Sequence, residues 1–99
     1  MDISIKKDLA SNWFKLLQNA ICDDILKIEE NKVNFESTSW RRSNKKDEGG
    51  GEYRILKSGK IFEKVGVNFS KVYGKFPKQF QKNIPGASED PRFWASGIS

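Results

Sequence analysis

The chain has 99 residues, of which 36% are hydrophobic and 31% charged, with a formal net charge of +5. A single domain is expected at this length. No membrane span is predicted, because no apolar run approaches the ~20 residues that cross a bilayer, and no signal peptide is predicted, because no apolar stretch follows a basic region at the start. The lone Cys22 cannot form an internal disulfide, and the lack of histidine excludes a Ser-His-Asp triad or an HExxH zinc site within these 99 residues.

The spacing of apolar residues predicts an amphipathic helix over residues 8–30. Asp8 and Ser11 are candidate caps for its start. Cys22 lies near the apolar stripe, which favours the role of a small buried hydrophobe; a reactive thiol is the alternative. The apolar residues that recur every three or four positions are Leu9, Trp13, Leu16, Leu17, Ala20, Ile21, Ile25 and Ile28.

Residues 33–99 are predicted to be mainly sheet. Alternating β-branched and aromatic residues favour a strand over residues 33–40. A polar, glycine-rich loop is expected over residues 43–51, followed by a short strand over 53–56. Ser58-Gly59 is typical of a hairpin turn.

The longest strand-like segment covers residues 61–73, and Gly66 within it suggests a bulge or a close backbone approach. A short helix or turn is expected over 76–83, then a loop, then an extended segment over 92–99. Phe93, Trp94 and Ile98 would form an apolar edge there, which complete proteins usually avoid. The pattern therefore predicts an α+β fold, one helix followed by a mostly antiparallel sheet, and residues 1–99 as a single incomplete domain.

Charge is distributed unevenly along the chain. Residues 1–39 carry five basic and seven acidic residues, whereas residues 40–99 carry thirteen and six, with two of three tryptophans and five of seven phenylalanines. Basic residues among aromatics suit nucleic acid, through phosphate contacts and base stacking. They suit a multiply anionic small molecule equally well, and a solvated lysine-rich surface is the third interpretation.

Two segments are candidates for anion binding. Gly49–Gly51 let backbone amides approach an anion, although neither nucleotide fingerprint is present and a hairpin loop or linker is the alternative. Trp40-Arg41-Arg42 places arginine forks beside a tryptophan that can shield an ion pair, or is simply an exposed strand end. No metal site is predicted, because carboxylates alone would have to serve as ligands and the pairs Asp47-Glu48 and Glu89-Asp90 lie in predicted loops.

The segments taken in order resemble the amino-terminal third of oxygen-dependent coproporphyrinogen III oxidases. The stretches that carry this resemblance are Ser-Trp-Arg-Arg (39–42), Gly-Gly-Gly (49–51), Arg-Ile-Leu (54–56), Ile-Phe-Glu-Lys (61–64), Gly-Val-Asn-Phe-Ser (66–70), Gly74 and Phe-Trp-Ala-Ser-Gly-Ile-Ser (93–99). This chain differs from the family in a short insertion over residues 43–48 and in Lys71, where many members have histidine. The family is also about three times longer.

The resemblance implies the amino-terminal portion of a cytoplasmic, homodimeric enzyme of haem biosynthesis. Such enzymes oxidatively decarboxylate the ring A and B propionates of coproporphyrinogen III to give protoporphyrinogen IX. They use molecular oxygen as co-substrate and no organic cofactor, and a metal requirement is disputed. The implied fold is a large antiparallel sheet flanked by helices, of which this chain would hold a part.

Only one substrate-binding residue of the family matches this chain, Ser99 in Gly-Ile-Ser. The catalytic proton donor and the proposed metal ligands have no counterparts here, so no catalytic or metal-binding residue is predicted. We expect Arg41 and Gly49–Gly51 to lie near one substrate propionate, with Ser99 in the same cavity. The competing hypothesis is a small basic nucleic-acid-binding α+β domain, but no RNP aromatics, KH loop or helix-turn-helix signature occurs.

Overall fold

The computed structural model describes residues 1–99 and confirms the predicted α+β arrangement. A long helix precedes a four-stranded antiparallel sheet in which each strand pairs with its neighbours in sequence. A one-turn helix interrupts the last connection. The elements are α1 (Ile3–Ile28), β1 (Glu36–Arg41), β2 (Gly49–Lys57), β3 (Lys64–Lys75), α2 (Lys78–Gln81) and β4 (Arg92–Ile98).

Helix α1 begins five residues earlier than predicted. Asp2, rather than Asp8 or Ser11, is the N-cap, and its carboxylate accepts a hydrogen bond from the Ser4 backbone N–H at 3.2 Å. The helix ends at Ile28, because Glu30 and the next residue adopt a left-handed conformation near φ +57° that a helix cannot continue through.

The core lies between α1 and one face of the sheet. Leu56, Val67 and Phe69 of the two central strands are buried there, and α1 packs against β3 and β4. The predicted apolar stripe of α1 is not the side that is fully buried: Trp13 and Leu16 are about 60% exposed, whereas Gln18 and Cys22, which are not among its residues, are buried. None of the helices is both long and apolar enough to span a membrane.

The prediction of a glycine-rich loop over residues 43–51 is wrong for its glycines, because Gly49–Gly51 form the start of β2. Gly50 pairs with Arg41 of β1, and a Cβ at Gly50 would overlap the Trp40 carbonyl oxygen. Glycine is needed here because the neighbouring strands approach too closely for a side chain. The loop between β1 and β2 is thus residues 42–48.

Strand β3 is regular at Gly66, so the predicted bulge or close approach is wrong. Gly66 pairs with Ile55 in an uninterrupted register, and a Cβ there would meet no atom nearer than 3.9 Å. The hairpin turn at Ser58-Gly59 is confirmed, with the Ser58 N–H donating to the Glu63 carbonyl at 2.8 Å. The short helix within residues 76–83 and the extended segment over 92–99 are confirmed as α2 and β4.

Candidate functional site

The sheet has two unlike faces, because successive side chains of a strand point to opposite sides. Helix α1 covers one, which we call the covered face; Gln18 reaches it and donates hydrogen bonds at 3.0 Å to the carbonyl oxygens of Glu52 and Val67. No helix packs on the other side, which we call the open face. The open face presents Trp40, Tyr53, Ile55, Asn68, Ser70, Val72, Gly97 and Ser99.

A cavity of about 910 Å³ lies on the open face, and six of its twelve lining residues are hydrophobic. Cavities of this size that combine apolar walls with a few polar groups are typical of small-molecule sites. The polar side chains are those of Tyr53 on β2, Lys64, Asn68 and Ser70 on β3, and Ser99 just after β4. The arrangement suits a largely apolar ligand with several polar substituents.

A shallow trough crosses the strands on the open face, because the residues paired along one row have small side chains or none. Gly51 of β2 pairs with Ser70 of β3, and Ser70 pairs with Gly97 of β4. Trp40 of β1 closes the row at the sheet edge, since it pairs with Gly51. Three small residues beside an indole leave room for a flat group to lie against the backbone of the sheet.

Ser99, the candidate substrate-binding residue, lines this cavity. Its backbone exchanges two hydrogen bonds with Asn68, at 2.8 and 3.0 Å, so the last residue of the chain still follows the sheet. Its exposed side chain lies on the same face as those of Asn68 and Tyr53, which pair with each other. The hydroxyl can donate or accept a hydrogen bond there.

Arg41 does not share this cavity, so the expectation that it lies with Ser99 is wrong. Arg41 pairs with Gly50 and lies on the covered side, in a groove of about 750 Å³. Gly49–Gly51 border the same groove. The reason is the alternation of β1, which puts Trp40 on the open face and Arg41 on the other.

Arg42 belongs to the candidate segment Trp40-Arg41-Arg42, but from the sequence we expect Arg41 to make the contact with the ligand instead. Its guanidinium donates to the Tyr73 carbonyl oxygen at 3.1 Å and lies 4.9 Å from the centre of the Phe93 ring. Phe93 pairs with Gly74 on the open face. The signal was present, because residues two apart in a strand share a face, and Arg42 follows Trp40 by two.

The groove on the covered side is strongly basic. Asp47 is the hydrogen-bond acceptor of the Tyr73 hydroxyl and of the Gly49 N–H, and these bonds hold the pKa of the Asp47 carboxyl below its usual value. The carboxylate is thus committed to the loop and the sheet. The cationic side chains around the groove are Lys15, Arg41, Lys45, Lys46 and Lys71.

Cys22 is 4% exposed and packs near Arg54 of β2. Burial raises the pKa of its thiol, although the nearby guanidinium of Arg54 acts in the opposite direction. A buried thiol held in its neutral form is a poor nucleophile, so the interpretation as a small buried hydrophobe is the better one. The structure brings together no group of three or more cysteine and carboxylate side chains that could hold a metal ion.

Comparisons with known proteins agree with the resemblance seen in the sequence. A family model described as coproporphyrinogen III oxidase matches residues 10–99. Oxygen-dependent coproporphyrinogen-III oxidases of Rickettsia felis (strain ATCC VR-1525 / URRWXCal2) and Rickettsia akari (strain Hartford) are 44% and 43% identical over 101 residues. Each of these matches covers 94% of this chain but only 35% of the relative's length.

Proposed function

The chain belongs to the coproporphyrinogen III oxidase family, and on that premise we propose that its open face is the part of an oxygen-dependent coproporphyrinogen III oxidase that binds the tetrapyrrole. The whole enzyme would decarboxylate the ring A and B propionates oxidatively, with molecular oxygen as co-substrate, to form protoporphyrinogen IX. The named relatives are oxygen-dependent oxidases of this kind. Because the chain spans 35% of their length, it supplies one part of that site.

The position of Ser99 on the open face carries this proposal. Ser99 is the one residue that matches a substrate-binding position of the family, and it lines the cavity beside the small-residue trough. The substrate combines a large apolar ring system with four propionates, so it needs both an apolar surface and separate hydrogen-bond donors. The open face offers both.

The residues of the open face would bind and orient the substrate. The Ser99 hydroxyl donates to a propionate oxygen or accepts from a pyrrole N–H. The trough formed by Gly51, Ser70 and Gly97 admits the ring system close to the backbone, and the Trp40 indole at its end packs against the edge of the ring. The oxidation itself would depend on groups outside these residues.

The wider context follows from the family. We place the enzyme in the cytoplasm as a homodimer that acts in haem biosynthesis. A nucleic-acid-binding domain is not favoured, because the match to the oxidase family covers residues 10–99, nearly the whole chain.

A binding titration tests the proposal with the 99-residue chain itself. Coproporphyrin III, the stable oxidised form of the substrate, serves as the probe. The change in its fluorescence reports binding. Ser99→Ala should weaken binding about two- to tenfold if the hydroxyl accepts from a pyrrole N–H, and by more than about tenfold if it donates to an ionised propionate. The matched control is Ser37→Ala, since Ser37 is an exposed strand residue that pairs with Arg54 on the covered side.

Two outcomes would overturn the proposal. One is that the wild-type chain does not bind the porphyrin; the other is that Ser99→Ala and Ser37→Ala bind it equally. An oxidase assay belongs beside the titration, with protoporphyrinogen formation as its readout. The 99-residue chain should give no product above a buffer control, since it contains no histidine to act as the family's proton donor.

A further inference from the structure

We propose that Arg42 binds a carboxylate of the ligand on the open face, at the end of that face remote from Ser99. This inference rests on the proposed function, because it assigns one contact of the same ligand. Arg42 takes the role expected from the sequence for Arg41, which lies on the other side of the sheet. Arg42 would be a binding residue that sets how the ligand is oriented.

Two contacts hold the Arg42 guanidinium on the open face. It donates to the Tyr73 carbonyl oxygen at 3.1 Å, and it stacks on Phe93 with 4.9 Å between the guanidinium carbon and the ring centre. Gly74 lies beneath both groups, and a Cβ there would come within 3.2 Å of the guanidinium and 3.3 Å of the ring. The absence of that Cβ gives the stack its space.

The one ion pair of Arg42 is longer than those of two other arginines of the sheet. Arg54 and Arg92 each hold a carboxylate at 2.9 Å, from Glu52 and Asp90. For Arg42 the nearest carboxylate oxygen, from Glu48, is 3.9 Å away. Only one of the five N–H donors of Arg42 has a hydrogen-bond acceptor in the structure, so the others are free for a ligand.

The position of Arg42 complements that of Ser99. Phe93, on which Arg42 stacks, precedes Ser99 by six positions along β4, a separation of about 20 Å at the rise of an extended strand. One carboxylate cannot contact both residues. A broad ligand with carboxylates on opposite sides of its ring can contact both at once, and coproporphyrinogen III carries propionates around its whole rim.

A partly shielded arginine is well suited to this contact. The planar guanidinium can bind a carboxylate through two parallel hydrogen bonds. Phe93 shields one side of the guanidinium and the Tyr73 carbonyl fixes its plane, so little freedom is lost when the ligand binds. A ligand carboxylate bound in this way would displace Glu48, whose oxygen lies 3.9 Å from the guanidinium.

The test compares two adjacent arginines on opposite faces. In coproporphyrin III titrations, Arg42→Gln should weaken binding about ten- to a hundredfold, as expected for the loss of a charge-assisted pair. Arg41→Gln removes the same charge from the neighbouring position and should bind like the wild type. Arg42→Lys should recover part of the loss, because it restores the charge without the fork.

A double variant tests whether Arg42 and Ser99 contact the ligand independently, and an unfolding measurement checks for a structural effect. Losses in Arg42→Gln and Ser99→Ala should add in free energy, since the two side chains contact separate parts of the ligand. Thermal unfolding of Arg42→Gln, together with its far-UV circular dichroism, checks that the strands remain folded. Equal affinities of Arg42→Gln and Arg41→Gln would overturn this inference.

The two proposals fail in different ways. If the wild type binds and Ser99→Ala weakens binding while Arg42→Gln does not, the open face is retained as the site and the role of Arg42 is wrong. If the wild type does not bind coproporphyrin III at all, both are wrong. A loss that Arg42→Gln shares with Arg41→Gln would indicate non-specific attraction between the basic chain and an anionic porphyrin.

Discussion

The Glu29 carboxylate, at the end of α1, accepts a hydrogen bond from the backbone N–H of Phe62 at 2.9 Å. It also accepts from the N–H of Ile61 at 3.0 Å, so one side chain holds the turn between β2 and β3 against the helix. Glu29 is 4% exposed, although it is charged. A carboxylate that receives several N–H donors is stabilised in its ionised form.

Glu29 should make stability depend on pH in the acid range. The hydrogen bond from the Phe62 N–H is the main reason that the pKa of Glu29 lies below its ordinary value of 4.5. A lowered pKa stabilises the folded chain above pH 4.5, and that stabilisation is lost as the pH falls through the folded-state pKa. We expect the melting temperature of the wild type to fall there more steeply than that of Glu29→Gln.

Three other carboxyl groups also have a lowered pKa, namely those of Asp2, Asp47 and Asp90. The informative quantity is therefore the difference between the two melting curves from neutral pH to about pH 3. The difference should be largest at neutral pH and shrink on acidification. A constant difference would mean that Glu29 acts by packing rather than by charge.

Gln18 should contribute to stability through its amide rather than through its bulk. The side chain is 1% exposed, and its amide nitrogen donates at 3.0 Å to the carbonyl oxygens of Glu52 and Val67. Gln18→Met keeps the approximate size but removes both donors. The cost should be about 1–3 kcal/mol in urea unfolding.

The control for Gln18 is Asn19→Met, because Asn19 is the next residue of the same helix and is exposed. Its substitution should change the free energy of unfolding by less than about 0.5 kcal/mol. Equal effects at the two positions would show that the amide of Gln18 adds nothing beyond helix propensity.

Alanine substitution should distinguish a glycine that a neighbouring strand approaches closely, Gly50, from one with free space around it, Gly66. At Gly50 an added Cβ would overlap the Trp40 carbonyl oxygen, so Gly50→Ala should destabilise the chain by about 1–3 kcal/mol as β1 and β2 move apart. At Gly66 the nearest atom is 3.9 Å away, so Gly66→Ala should be neutral or stabilise by about 0.4–1 kcal/mol. Urea unfolding of both variants is the measurement.

The glycines also mark the limit of what the sequence could predict. The polar, glycine-rich composition predicts a loop at Gly49–Gly51, whereas in the structure these glycines lie where β1 and β3 approach β2 closely. Gly66, the glycine interpreted as irregular, lies in a regular ladder. Close approach depends on the partner strands, so local composition cannot distinguish these cases.

The faces of the sheet were more predictable than their functions. Alternation along β1 puts Thr38 and Trp40 on one face, and the same rule extended by two residues assigns Arg42 to that face. Adjacency to Trp40 in the sequence favours Arg41 instead, but adjacent residues of a strand lie on opposite faces. Which side of α1 packs on the sheet could not be read from the chain, since two large apolar side chains, Trp13 and Leu16, are exposed while Gln18 is buried.

Those exposed side chains lead to the last prediction, which concerns self-association. Trp13 and Leu16 are 60% and 62% exposed on adjacent turns of α1, with Leu9 at 55% one turn before, so they form a continuous apolar stripe. We expect the 99-residue chain to associate through this stripe as concentration rises, with Trp13→Lys/Leu16→Lys remaining monomeric. Ile61→Lys is the matched control, because Ile61 is 62% exposed but isolated in the turn after β2. Sizing chromatography with light scattering gives the masses. Association that persists in the double variant would instead point to pairing at the free edge of β4.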